Sequence, residues 1–232
     1  MAIIKNFSDI EKLRKGGAIL AKILDTISSL AVPGVATKFL EEEAARIALS
    51  QNVKPSFLGY RPHGAKEPYP AAVCVSVNDE IVHALPSEKK LAEGDILSID
   101  MGIWHDGLCV DAAITVGVGK ISQNAAKLIK ITKESLDVGI AILKAGIKTG
   151  DIGFAISNYV EENGFQVVRD LAGHGVGENV HEDPIIFNFG RKGVGEIIPA
   201  GSVLALEPMV IEKDWHIKTG QDGWAIKTAD GG

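Results

Sequence analysis

The first fifty residues carry apolar side chains at the spacing of two consecutive amphipathic helices. The first helix is predicted to begin at a capping box formed by Ser8 and Glu11. The Val-Pro-Gly sequence at residues 32–34 ends it. A second helix is predicted from about Thr37, and the three glutamates at residues 41–43 lie near its start, where negative charge suits the helix dipole.

The pattern then changes to that of β-strands, after a loop at residues 57–70. A strand is predicted over residues 72–77, and a turn at residues 78–79 returns the chain through residues 80–84. A longer hairpin follows, with its two-residue turn at Asp-Gly, residues 106–107. This turn places Gly102 opposite Asp111, and because side chains alternate faces along a strand, Asp100 shares a face with Asp111.

The order of elements repeats in the second half. Helices are predicted over residues 122–145 and 151–162, followed by a strand at residues 165–168. The join between the two helices also resembles that of the first half, with Gly-Val-Ala-Thr against Gly-Ile-Lys-Thr. The pattern therefore predicts an α+β protein of two related halves, each with a helix pair packed on antiparallel strands.

Composition excludes several classes of protein. The 232 residues are 46% apolar and 23% charged, as in folded globular proteins, so disorder is not expected. The net charge of −6 and the lack of a basic block argue against a nucleic-acid partner. No apolar run is long enough for a membrane span, and no signal-peptide pattern is present. Cys74 and Cys109 lie in apolar runs, which favours reduced thiols in a cytoplasmic protein.

Three carboxylates and one histidine occupy positions that are unusual for solvated groups. Asp100 and Glu207 each follow an apolar strand-like run, Asp111 shares a face with Asp100, and His174 lies among glycines. An unpaired charge in apolar surroundings is costly, so a shared divalent cation is the favoured interpretation. The ligand types suit Mn, Fe, Co or a catalytic Zn. The alternatives are solvated strand ends and, around His174, a flexible surface loop.

The remaining candidates are weaker. His181 follows His174 by seven residues, and two histidines in one stretch rich in glycine are harder to dismiss than one. His83, in a predicted strand, is more often an ordinary core or edge histidine. Aromatic residues are by default packing residues, and this applies to Tyr60, Tyr69 and Trp224.

Five motifs, in their order and at their intervals, resemble the type I methionine aminopeptidases, which are M24-type metallopeptidases of the pita-bread fold. The resemblance covers residues 1–232 as one catalytic domain, with halves near 1–120 and 121–232 and no separate N-terminal domain. The motifs are residues 73–83 (Val-Cys-Val-Ser-Val-Asn-Asp-Glu-Ile-Val-His), the spacing of Asp100 and Asp111, residues 173–177 (Gly-His-Gly-Val-Gly), residues 181–184 (His-Glu-Asp-Pro) and residues 207–209 (Glu-Pro-Met).

The resemblance implies roles for individual residues. The metal ligands would be Asp100, Asp111, His174 and Glu207. Glu207 would also transfer the proton of the attacking water, His181 would donate to the substrate carbonyl, and His83 would contact the substrate backbone. A methionine pocket would be lined by Tyr60, Tyr69, Cys74 and Trp224, whose aromatic and sulfur surface suits a thioether.

The resemblance also implies the reaction and its partners. The protein would remove the initiator methionine from nascent peptides with a small second residue, by hydrolysis with a metal-bound water. Two divalent ions per chain are expected, drawn from Co, Mn, Fe or Zn. The ribosome is a candidate partner, and a monomer is expected. Neither nucleic acid nor a membrane is expected as a partner.

Two departures from the family pattern are visible. Residues 61–67 lengthen the loop between Tyr60 and Tyr69, next to the expected pocket. The family has a further bridging glutamate on a strand after the Asp-Gly-Trp motif, whereas here only a few residues follow that motif. We therefore expect either a truncated sequence or the loss of one metal site and an unpaired sheet edge.

Two other functions compete with this interpretation. A peptidase directed at Xaa-Pro bonds could share the fold, although such enzymes usually carry an extra N-terminal domain. A metal-free binding protein of the same fold would explain the missing glutamate, but the other four ligands and both histidines are intact.

Overall fold

The computed structural model describes residues 3–4, 6–62 and 64–232, so His63 in the predicted long loop lies outside the described residues. Within them the helices are α1 (Phe7–Ser29), α2 (Thr37–Ser50), α3 (Gln123–Ala141) and α4 (Thr149–Glu162). The strands are β1 (Lys54–Pro55), β2 (Cys74–Val77), β3 (Glu80–Val82), β4 (Ile96–His105), β5 (Leu108–Gly117), β6 (Gln166–Val167), β7 (Ala172–Gly175), β8 (Glu182–Phe187), β9 (Leu204–Ala205), β10 (Val210–Ile211), β11 (Ile217–Thr219) and β12 (Ile226–Thr228).

The N-cap of α1 differs from the prediction. Asn6 caps the helix, because its side-chain oxygen accepts the N–H of Asp9 at 2.8 Å. Ser8 lies one residue inside the helix, so its predicted capping role is wrong.

Helix α3 begins where predicted but ends early. The hydroxyl of Ser122 accepts the N–H of Ala125 at 3.0 Å and caps the helix. The helix ends at Ala141 rather than at residue 145. Beyond it the chain turns so that the N–H of Gly146 can donate to the carbonyl of Ile198 at 2.8 Å. This tertiary hydrogen bond competes with further helical turns.

The long hairpin has the predicted register. Strands β4 and β5 pair antiparallel from Ile96 opposite Gly117 to His105 opposite Leu108. The two turn residues have φ values of 48° and 83°, which is the left-handed geometry of a type I′ turn. Strand β4 is central, because β1 and β2 pair along its other edge. The hairpin therefore forms the rigid centre of the first half.

Three smaller sheets complete the β-structure of the described residues. They are ordered β8-β7-β9, β11-β12-β3 and β10-β6, and each of their strand pairs is antiparallel. The sheet of β7, β8 and β9 positions the second half of the candidate site.

The two halves repeat one hydrogen-bonding pattern. The turn between each helix pair contains a glycine with positive φ, Gly34 at 92° and Gly146 at 85°. The N–H of Gly34 donates to the carbonyl of Leu91 at 2.7 Å, as that of Gly146 does to Ile198. The predicted α+β architecture of two similar halves is confirmed, whereas the boundary near residue 120 stays a prediction.

Each half has its own apolar core. In the first, one face of α1 packs on β4, with Leu20 and Ile23 against Leu97 and Ile99. In the second, Ile152, Ile156 and Val160 of α4 pack with Ile186 of β8. None of the helices described has the length and apolar character needed to cross a bilayer.

Candidate active site

The hairpin brings two aspartates into contact. The side chains of Asp100 and Asp111 are in hydrogen-bonding contact, and that of Asp111 is only 9% exposed. Burial is the main cause that raises the pKa of both carboxyls, followed by the charge of Asp111 for Asp100 and the charge of Glu207 for Asp111. The predicted shared face is therefore observed, and it concentrates negative charge where water is scarce.

His174 lies in strand β7 and is buried, so the alternative of a flexible surface loop is wrong. Its Nδ1 is 2.8 Å from the carbonyl oxygen of Gly175, which can only accept a hydrogen bond. Nδ1 therefore carries hydrogen, and in the neutral ring Nε2 has the lone pair that a metal ligand needs. This nitrogen faces Glu207 at 3.0 Å and Asp111 at 4.0 Å.

These contacts draw positive charge to Nε2 of His174. Burial lowers the pKa of His174, but contact with the carboxylate of Glu207 outweighs it, and the net pKa is raised. The buried Oε1 of Glu207 receives no hydrogen bond from the described residues, although it is the atom 3.0 Å from Nε2. A proton or a metal cation shared by the two atoms would remove this conflict.

The donor set fits a divalent cation. Within residues 3–4, 6–62 and 64–232, no group of three His, Cys, Asp or Glu side chains has the spacing needed to hold a metal ion as it stands. The four candidates instead touch one another directly. Two ligands of one cation at about 2.1 Å, at a right angle, would themselves lie about 3 Å apart, which is the spacing of His174 Nε2 and Glu207 Oε1. By residue type, Asp100 and Asp111 would supply the further oxygen ligands.

Sequence reasoning missed the residue that holds the backbone of Glu207. The side-chain amide of Asn188, 1% exposed, donates to the carbonyl of Glu207 at 2.6 Å. Asn188 directly follows β8, so this bond ties Glu207 to the sheet that carries His174. No local pattern identifies it, because the two residues are 19 positions apart.

A cleft of about 670 Å³ opens above these groups, and His83, His174, His181 and Glu207 line it. His83 lies just after β3 with a φ of 61°, so its predicted place within a strand is wrong. Left-handed backbone at a histidine is strained and is often found at functional sites.

His181 also lines the cleft, and its ring meets that of His174 edge-on at 4.4 Å between centroids. Although the residue is exposed to the cleft, protein packed around its ring lowers the pKa of His181, as do His174 and His83. Its Nδ1 lies 2.8 Å from the hydroxyl of Tyr60. Burial raises the pKa of Tyr60, so this hydroxyl keeps its proton at neutral pH.

The four predicted pocket residues pack in one apolar cluster next to the carboxylates: Tyr60, Tyr69, Cys74 and Trp224. Tyr69 meets Trp224 edge-on at 5.1 Å and donates its hydroxyl to the carbonyl of Ala84 at 3.0 Å. Cys74 is directly opposite Asp100 in the pairing of β2 with β4. None of the four is among the described side chains that line the open cleft.

Two apolar residues of the cleft were not predicted from sequence. Ile185 and Phe187 are 54% and 42% exposed and line its wall from strand β8. The run of three apolar residues at 185–187 is the sequence signal that could have identified this strand, although it does not show which of them face the cleft. Pro184 obscured the strand, because proline argues against one.

Comparison with known proteins decides the family. Residues 11–230 match the model of metallopeptidase family M24. The chain belongs to this family. It is 45% identical to a methionine aminopeptidase of Clostridium perfringens, over all of this chain and 90% of that protein. A crystal structure of methionine aminopeptidase from Thermotoga maritima superposes with a TM-score of 0.93 at 42% identity, covering 100% of this chain and 91% of that one.

These comparisons confirm the pita-bread fold and the M24 resemblance. Members of this metallopeptidase family use divalent metal ions, in agreement with the donor set. A Xaa-Pro dipeptidase from Bacillus anthracis shares the fold, with a TM-score of 0.75, but at 23% identity and over 57% of that chain. A proline-directed activity is therefore not favoured.

Metal binding should stabilise the protein measurably. Relative to protein from which a chelator has removed all metal, Mn²⁺ at about ten times its Kd should add about 1.4 kcal/mol to the free energy of unfolding. For a chain of this size Tm should rise by about 3–6 °C in differential scanning calorimetry. A Tm unchanged by Mn, Co, Zn and Fe(II), each tested separately, would contradict the assigned donor set.

Proposed function

We propose that this protein is a methionyl aminopeptidase that removes the initiator methionine from nascent peptides by hydrolysis. The observation that carries the proposal is the convergence of Asp111 with His174 and Glu207, of which the latter two line the cleft, beside a buried aromatic cluster. The relatives that share this fold at 42–45% identity are named methionine aminopeptidases.

Four residues would hold the metal ions: Asp100, Asp111, His174 and Glu207. Bound divalent cations would supply Lewis acidity and lower the pKa of water towards neutrality. We propose two ions per chain, drawn from Co, Mn, Fe or Zn, since shared carboxylates are typical of two-metal hydrolytic sites. The predicted weakening of one metal site stays a prediction.

The other groups of the cleft act on the peptide. Glu207 accepts a proton from the water that attacks the carbonyl carbon, and passes it to the amine as the C–N bond breaks. His181 donates to the carbonyl oxygen as negative charge develops there. His83, held in its left-handed conformation after β3, contacts the peptide backbone next to the scissile bond.

Substrate selection follows from the apolar cluster. Tyr69, Cys74 and Trp224 pack beside the carboxylates, and the hydroxyl of Tyr60 in the same cluster contacts His181, which lines the cleft. An unbranched thioether makes favourable contacts with such aromatic and sulfur surface. We propose that the methionine side chain enters here and that a small second residue lies in the cleft.

The setting of the reaction is also a proposal. Cys74 and Cys109 are free and buried, as is typical of proteins in the reducing cytoplasm. Association with the ribosome and a monomeric state stay predictions.

Release of methionine from the peptide Met-Ala-Ser tests the function. We expect protein stripped of metal by a chelator to be inactive. Activity, measured as free methionine, should return with at least one of Mn, Fe, Co or Zn. No release with any of the four would exclude the proposal.

Matched peptides separate the remaining alternative. We expect Met-Ala-Ser to be cleaved and Ala-Pro-Ser to remain intact under the same metal conditions. Preferential cleavage of Ala-Pro-Ser would instead indicate a proline-directed peptidase.

A further inference from the structure

Two adjacent histidines of the cleft have different hydrogen-bond partners at the same ring atom. Nδ1 of His174 faces the carbonyl of Gly175, whereas Nδ1 of His181 faces the hydroxyl of Tyr60, each at 2.8 Å. A carbonyl can only accept, but a hydroxyl can also donate. The two partners can therefore hold the two imidazoles in opposite tautomers.

The backbone fixes Tyr60 independently of the long loop that follows it. The N–H of Tyr60 donates to the carbonyl of Phe57 at 2.9 Å, and its own carbonyl accepts the N–H of Tyr69 at 2.8 Å. The N–H of Gly59 in turn donates to the carbonyl of Tyr69 at 2.8 Å. These bonds close the loop at its base, so that Tyr60 is held on both sides.

Among the described residues, the hydroxyl of Tyr60 has one acceptor to which it can donate its proton. Its ring meets that of His181 edge-on at 5.1 Å, and Nδ1 is its hydrogen-bond partner among the described residues. If Nδ1 carried hydrogen and donated, the hydroxyl proton would have no acceptor among the described residues. Donation from the hydroxyl to Nδ1 gives that proton an acceptor and the ring nitrogen a donor.

We propose that Tyr60 is a positioning residue: its hydroxyl donates to Nδ1 of His181 and so keeps the imidazole hydrogen on Nε2. A neutral imidazole has a single N–H, so this tautomer directs a donor from Nε2 towards the cleft. Resting on the proposed function, this is the donor for the substrate carbonyl. His174, with hydrogen on Nδ1, keeps its Nε2 lone pair for a cation.

The tautomer can be measured without turnover. In the full chain labelled with ¹⁵N-histidine and loaded with Zn²⁺, the signals of His181 are identified by their loss in His181→Asn. We expect unprotonated Nδ1 and protonated Nε2 in the wild type. In Tyr60→Phe, which keeps the ring but removes the hydroxyl, we expect hydrogen on Nδ1 in a substantial fraction of molecules.

Kinetics give a second readout. Tyr60→Phe should lower kcat for Met-Ala-Ser about tenfold, with KM changed less than twofold, because only a donor to the developing oxyanion is disturbed. In the His181→Asn background the same change should cost less than twofold, since the residue through which Tyr60 acts is absent.

The matched control is Tyr159→Phe. Tyr159 also uses its hydroxyl as a donor, to Glu134 at 2.8 Å, but on the helix pair α3 and α4 away from the cleft. We expect it to leave both the His181 signals and kcat unchanged.

Three results would overturn the proposal: hydrogen on Nδ1 of His181 in the wild type, an unchanged tautomer in Tyr60→Phe, or equal effects of Tyr60→Phe in both backgrounds. Should Tyr60→Phe fail to fold, the wild-type spectrum still tests the proposal, because hydrogen on Nδ1 of His181 would overturn it. If the wild type releases no methionine, the proposed function fails while the spectra continue to test Tyr60.

Discussion

The substitution Asp111→Asn is expected to lower kcat/KM for methionine release about a thousandfold. Asp111 lies 4.0 Å from His174 and in hydrogen-bonding contact with Asp100, so it would be shared within the metal site. Loss of one anionic ligand removes several kcal/mol of charge stabilisation, and about 4 kcal/mol corresponds to a thousandfold. Initial rates with Met-Ala-Ser, at the Mn²⁺ concentration that saturates the wild type, measure the effect.

Stability separates this effect from misfolding. In metal-free protein, Asp111→Asn should be no less stable than the wild type, because it relieves repulsion among buried carboxylates. The rise in Tm on adding Mn²⁺ should disappear. Asp137→Asn, on the exposed side of α3, is the control and should retain both activity and the Tm increase. A variant Asp111→Asn that still binds Mn²⁺ with wild-type affinity would exclude Asp111 as a ligand.

The substitution Gly173→Ala is expected to destabilise the protein by about 3 kcal/mol, because it forces atoms into a closely packed backbone. A Cβ at this position would lie 2.3 Å from the carbonyl oxygen of Ala205 on the neighbouring strand β9. Tm should fall by about 6–12 °C in a chain of this size.

Activity should also fall in Gly173→Ala. Its backbone must shift next to His174, and a displacement of about 1 Å at a reacting group can cost about a hundredfold in rate. Calorimetry and initial rates measure the two effects. If Gly173→Ala instead had the Tm of the wild type, β7 and β9 could move apart with no loss of stability.

Gly17→Ala is the matched control. Gly17 lies within α1, and a Cβ there would meet no atom within 4 Å. Alanine in a helix interior is favoured over glycine by about 1 kcal/mol, so Tm should rise slightly while activity stays unchanged. The contrast between the two glycines isolates close backbone approach from a general effect of alanine.

The sequence was most informative where contacts are local. The hairpin that presents Asp100 and Asp111 is set by two turn residues and by alternation along two strands. The partners are close in the chain, so the turn geometry alone fixes the register. The same locality explains why the cap of α1 was misplaced by only two residues, since Asn6 and Ser8 both offer a side-chain oxygen there.

The resemblance added what local patterns lack. Taken alone, His174 and His181 could belong to a solvated loop, and the metal interpretation of Glu207 had a solvated strand end as its alternative. The motifs taken together selected one family, and the full-length match confirmed it.

The sequence by itself therefore determined the α+β class, the paired halves and the aspartate hairpin, whereas the set of site residues stays a prediction that the family resemblance supplied. Only the tertiary structure decided that His174 lies in a buried strand, that Asn188 holds Glu207, and that Tyr60 reaches His181. The physical reason is chain distance. Tyr60 and His181 are 121 residues apart, and no turn or periodicity couples such positions until the sheets of both halves are packed.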